Sequence, residues 1–183
     1  SIRKKAVGYF DDRKFSEAAE IFLILGKYED SEEYLEKIYE QAGTYFKDKK
    51  FKYATAVYMS LGDYKNSIDK LEELYKKSLD YIDKEKYADA ALILTNMKNY
   101  SDAEEKLEFL YNKALSLIGY GKYSDASSIL ENLKDFSNSN EKLAELNEKL
   151  DKLYNDAVKM SSNNYEEAIK LFEEWEFTKD YKY

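Results

Sequence analysis

Apolar residues recur along this chain at steps of three and four. One seam reads Leu35, Ile38, Ala42, Tyr45 and returns as Leu71, Leu74, Ser78, Tyr81 and as Leu107, Leu110, Ala114, Leu117. A shorter series runs Ala18, Ile21, Phe22, Leu25, then Ala54, Val57, Tyr58, Leu61, then Ala90, Ile93, Leu94, Met97. Ala126, Ile129, Leu130, Leu133 and Ala168, Leu171, Phe172, Trp175 extend it. Such spacing puts each series on one face of a helix, and no period-two alternation competes with it. The pattern predicts an all-α chain of alternating longer and shorter amphipathic helices.

The helices are set by a 36-residue period: Lys14-Phe15, Lys50-Phe51, Lys86-Tyr87 and Lys122-Tyr123 are equally spaced, as are Ala18, Ala54, Ala90 and Ala126. Tyr28, Tyr64, Tyr100 and Phe136 form a third series. A further copy, Tyr165-Glu166-Glu167-Ala168, comes after 42 residues. A seven-residue helix insertion near 147–153 and a turn one residue shorter account for that spacing. Seven residues is close to two helical turns, so the apolar face stays aligned. Asp30, Asn66, Asp102 and Asn138 stand where the longer helices should begin and are good N-cap types. Glu33 after Asp30 and Glu104 after Ser101 have capping-box spacing. The aromatic before each cap reads as a staple on the entry to the next helix. Short polar turns such as Asp48-Lys49-Lys50 make each pair antiparallel, and small Ala residues allow the helices to cross closely. One pair cannot bury its own stripe, whereas a stack of pairs can. The expected domain is a single solenoid over 1–183: a partial unit 1–29, then 30–65, 66–101, 102–137 and 138–183.

Composition narrows the function. The 183 residues include no Cys, His or Pro, only 6 Gly, but 19 Tyr and 9 Phe. Thiolate nucleophiles, imidazole bases and the usual Zn, haem and Fe–S ligand sets are therefore excluded. With few Gly and no Pro, few sharp turns are expected. A net charge of −8 argues against a nucleic-acid partner, whose footprint would be basic. No stretch approaches the roughly 20 apolar residues of a membrane span, so direct membrane insertion is not expected. The chain lacks a starting Met, and Ile2 to Tyr9 and Asp180-Tyr181-Lys182 read as interrupted elements. A segment of something longer is expected, with self-association through uncapped ends.

The run Tyr111, Ala114, Leu117, Gly121, Lys122, Tyr123, Asp125, Ala126, Leu130, Leu133 resembles the tetratricopeptide repeat (TPR). Tyr39, Ala42, Tyr45, Phe51, Ala54 and Tyr58 match similarly, as do Ala157, Tyr165, Ala168 and Phe172. Two departures stand out. The period exceeds the usual 34 residues or so, and the closing Pro is replaced by linkers such as Leu61-Gly62-Asp63-Tyr64-Lys65-Asn66-Ser67. The chain looks like divergent TPR-like arrays of large low-GC bacterial proteins, often beside a membrane anchor or envelope domain. The resemblance implies a right-handed α–α superhelix that works as a non-catalytic scaffold for a protein or peptide. The alternative is a structural spacer or oligomerisation module of a larger, cell-envelope protein. The compartment stays open between the cytoplasm and the exposed part of an envelope-anchored chain.

The resemblance further implies a concave groove lined by the first helix of each unit. Tyr39, Tyr75, Tyr111 and Tyr154 would form one row of it, with Glu36, Glu72, Glu108 and Asp151 one turn upstream. Gly43, Leu79, Leu115, Val158 and Phe46, Ile82, Ile118, Ser161 would follow. A Tyr ladder backed by carboxylates suits an extended or helical peptide carrying Lys or Arg. The same tyrosines could instead pack between neighbouring helices. Carboxylate pairs such as Glu32/Glu33, Glu104/Glu105 and Glu166/Glu167 sit among lysines on exposed faces and read as solvated charge. No cofactor, metal site or catalytic constellation can be assembled, so no enzymatic role is expected.

Overall fold

The computed structural model describes residues 1–161 together with 166, 169 and 170. Within them the chain forms α1 (Ile2–Asp11), α2 (Phe15–Leu25), α3 (Ser31–Lys47), α4 (Phe51–Leu61) and α5 (Ser67–Asp83). Then come α6 (Tyr87–Leu94), α7 (Ala103–Gly119), α8 (Tyr123–Leu133) and α9 (Ser139–Ser161), and no strand occurs among the described residues. Long helices of 17 residues (α3, α5 and α7) alternate with short ones of 11 (α2, α4 and α8) or 8 (α6). The further short helix expected on Ala168, Leu171, Phe172 and Trp175 falls outside the described residues.

The apolar seams are the core. Leu35, Ile38 and Ala42, with their equivalents Leu71, Leu74, Ser78 and Leu107, Leu110, Ala114, are all buried. So are Ala54, Val57, Tyr58 and Leu61 on α4, and Ala126, Ile129, Leu130 and Leu133 on α8. Each long helix packs against the short helix that follows it. Short helices also pack directly on one another, α2 on α4, α4 more loosely on α6, and α6 on α8, whereas successive long helices meet mainly through side chains. Consecutive packing of this kind is that of a stacked helical repeat.

Both connections repeat in backbone detail. After α1, α3, α5 and α7 the chain closes with paired bonds such as Lys49 N to Phe46 O and Lys50 N to Tyr45 O. That is a Schellman closure, with Arg13, Lys49, Glu85 and Gly121 in the left-handed region. Each short helix leads into the next long helix through tandem β-turns, for example Tyr64 N to Leu61 O and Ser67 N to Tyr64 O. Eight non-glycine residues among those described have positive φ, so the scarcity of glycine does not spare the chain its turns. Regular hydrogen bonding holds them there instead.

The tandem turns also explain how the array manages without proline. Ser31, Ser67 and Ser139 are buried at the first helical position, and each hydroxyl donates to the carbonyl three residues back at 2.6–2.7 Å. Ala103 fills the corresponding place without that bond. The capping expectation needs correction. Glu33 pairs with Lys37 at 2.6 Å and Asp102 with Lys106 at 3.1 Å, and the side chains of Asp30, Asn66 and Asp102 make no capping bond to the backbone of their own helix. Their oxygens are engaged by the preceding unit.

Candidate functional site

The Tyr row is held inside the stack. Tyr75 and Tyr111 are buried, and Tyr39 and Tyr154 are half-buried. The hydroxyls of Tyr39, Tyr75 and Tyr111 donate to the side-chain oxygens of Asn66, Asp102 and Asn138 at the start of the next long helix. Arg3 stands 36 residues before Tyr39 and does the same work. Its guanidinium forks onto Asp30 at 2.9 and 2.6 Å, which lowers the Asp30 pKa and raises that of Arg3.

The carboxylate row is met from the other side. Tyr100 donates to Glu72 at 2.9 Å and Tyr64 to Glu36 at 3.4 Å, with the Lys65 ammonium also on Glu36. Glu72 is further paired with Lys76 at 3.2 Å. The bond from Tyr100, then the Lys76 ammonium, hold the Glu72 carboxyl below its ordinary range. Burial, then the Glu72 carboxylate, push the Tyr100 phenol up to about 12. The two rings of each junction also touch, Tyr39 to Tyr64 at 6.1 Å and Tyr75 to Tyr100 at 5.7 Å between centroids. The pattern weakens where the linker aromatic lacks a hydroxyl. Opposite Phe136, Glu108 is exposed and its recorded bond comes from Asn112 on its own helix at 3.3 Å. Asp151 is also exposed.

The outer rows open onto space instead. Between α3 and α5 a cavity of about 380 Å³ is lined by Tyr39, Gly43, Phe46 and Lys70, with Tyr58 of α4 beside it. A Cβ placed on Gly43 would meet only the Tyr58 hydroxyl, at 3.8 Å. Between α7 and α9 a second cavity of about 460 Å³ is lined by Leu115 and Ile118 facing Lys142, Glu145, Leu146 and Lys149. Ile82 is half-buried against the core at the equivalent place on α5. Phe46 and Ile118 therefore share the gaps beside the long helices, while Tyr39, Tyr75 and Tyr111, with Glu36 and Glu72, form the clamps between units.

A third and larger cavity, about 610 Å³, lies where α6, the end of α7 and the start of α8 meet. The candidate residues read from the long-helix face do not include it. The signal was present in the repeat: Tyr45 and Tyr81 are followed by Leu117, and Tyr53 by Asp89 and Asp125. Among the described residues no group of three or more Cys, His, Asp or Glu is arranged to hold a metal ion, and no helix is long and apolar enough to cross a membrane.

No protein-family model, curated protein or solved structure matches this chain significantly.

Proposed function

We propose that the chain is a non-catalytic helical-repeat scaffold, TPR-like with a right-handed superhelix, that binds a protein or peptide along its long-helix face. The gaps between successive long helices carry this reading, because Gly43 and Phe46 at one, and Leu115 and Ile118 at the other, line open space. Apolar gaps rimmed by Lys and Glu suit a peptide that inserts side chains at intervals of one repeat. The exposed carboxylates Glu108 and Asp151 leave room for basic residues in such a partner, whereas Glu36 and Glu72 are already engaged.

Peptides selected from a displayed library against the 183-residue chain test it. Gly43→Leu fills the first gap, and Ile118→Glu charges the second. Both variants are expected to keep their helicity and lose the selected peptides by calorimetry. Retained affinity in both removes the long-helix face from the reading. One observation favours the second reading, a spacer or self-associating module: the clamps at Asp30, Asn66, Asp102 and Asn138 lock each unit to the next. A chain that selects no peptide but shows rising mass by light scattering as its concentration increases supports that one.

A further inference from the structure

At the turn end of the stack, successive junctions are filled to different degrees. In the first, Tyr45 of α3 lies between Phe15 and Tyr53, with centroids 6.3 and 5.5 Å apart. In the second, the ammonium of Lys77 sits 5.1 Å from the Phe51 ring and 5.2 Å from that of Tyr81. The third has the same cation, since Lys113 stands 36 residues after Lys77, and it lies 4.9 Å from the Tyr87 ring. Its second ring is missing. Leu117 stands at the place of Tyr45 and Tyr81, Asp125 at that of Tyr53, and the cavity of about 610 Å³ opens there.

The remaining walls suit a planar guest. Tyr87 braces one side, itself packed edge-on against Phe109 at 6.1 Å, and buried Ile129 lies at the floor beside Leu117. Tyr120 contributes to the lining while 80% exposed, a large apolar surface left in solvent at this junction. The charged lining balances, three lysines (Lys86, Lys113, Lys122) against Glu85, Asp89 and Asp125, so net charge does not set the choice of guest. Such a site selects by ring face and by the cation above it.

We infer that the α6–α7–α8 junction is a seat for an aromatic side chain of a partner peptide, taking the place that Tyr45 and Tyr81 fill in the preceding units. The inference rests on the scaffold reading for its partner, but its test does not. The probe is p-cresol, the tyrosine side chain itself, titrated into the 183-residue chain and followed by methyl NMR, with 4-methylcyclohexanol as the non-aromatic match.

Saturable shifts at the Leu117 and Ile129 methyls with p-cresol, at least about threefold weaker with the cyclohexanol, are expected from a cation–π contribution of this size. Leu117→Tyr should fill the seat from within and abolish the shifts. Lys113→Met keeps the stem while removing the cation, and should weaken p-cresol by about three- to tenfold, which covers the case in which Leu117→Tyr fails to fold. Equal response to both probes, shifts that survive in a folded Leu117→Tyr, or no saturable shift at all would overturn the seat. Those failures fall on the seat alone. Loss of peptide binding in Gly43→Leu or Ile118→Glu speaks to the scaffold instead.

Discussion

The two ends of the helix pairs are built on different rules. At the linker end every junction among the described residues repeats one device, a donor from the preceding long helix or α1 onto the first side chain of the next. Where the residue types change they keep that chemistry, Arg3 replacing Tyr as donor and Asp alternating with Asn as acceptor. At the turn end the backbone is equally regular, but the side chains filling the junction drift from three rings to two and then to one. Stability of a stack is a sum over such interfaces, so the constant end is where the fold is held. The varied end is where one unit can differ from its neighbours without undoing the array.

The largest expected effect separates these ends directly. Tyr75 is 8% exposed, and its hydroxyl is bonded to Asp102. Tyr75→Ala should cost about 3 kcal/mol in urea unfolding, for the lost burial and the void. Tyr75→Phe removes only the hydroxyl and should cost about 1 kcal/mol. Tyr120→Ala, at the turn end and largely in solvent, should stay within about 0.5 kcal/mol of the parent. Similar losses for Tyr75→Ala and Tyr120→Ala would erase the distinction. A consequence for binding work is that replacing Tyr75 and Tyr111 by Ala tests the clamp between units before it tests any groove.

The helices and their buried faces were legible in the chain because period and burial are the same physics read twice. Leu74, Leu110 and Ile129 fall on their seams and are buried. The two Tyr series were equally visible, but their partners were not. A Tyr-to-Asn66 bond 27 residues away depends on how the tandem turns aim the first side chain of the next helix, which no seam encodes. The same turns account for the unmade caps, because they aim these side chains at the preceding unit rather than at the amides of their own helix. Of the candidate site residues, Phe46 and Ile118 line gaps because they lie about two turns beyond the clamp, toward the turn end. The third cavity is written as an interruption, Leu117 after Tyr45 and Tyr81, and attention to what recurs passes over what stops recurring.

Alkali should act on the linker end through Tyr100. Burial, then the Glu72 carboxylate, raise its phenol in the fold to about 12, while an unfolded chain gives up the proton near pH 10. The native state therefore holds the proton longer. Its contribution is complete below about pH 10 and is lost as the pH rises through the folded value, so stability falls across that window. Burial raises Tyr58 to about 12 as well, and it adds a loss of the same sign. Unfolding midpoints followed from pH 9 to 12 should decline in the parent, and less steeply in Tyr100→Phe. A Tyr100→Phe variant that declines as steeply as the parent would mean that burial and the Glu72 bond together do not hold the phenolic proton in solution.

A last comparison asks whether the exit from the short helices has been perfected in every unit. Gly26 and Gly62 leave α2 and α4 with φ near +60° and ψ near −120°, a conformation that a side chain opposes. The residue leaving α8 has the same backbone, φ 52° and ψ −118°, but it is Lys134. Backbone strain of this kind costs on the order of 1–3 kcal/mol, and the freedom glycine gives the unfolded chain returns roughly 0.5–1 kcal/mol of that. Lys134→Gly should therefore stabilise the chain by about 1 kcal/mol, read as a higher denaturant midpoint at unchanged slope. Gly62→Lys, the reciprocal change, should destabilise by a similar amount. If Lys134→Gly gives no gain while Gly62→Lys is harmful, the α8 exit has relaxed away from that of α2 and α4, as the α6 exit through Thr95 already departs from it, and the constancy of the linker end rests on its side-chain clamps alone.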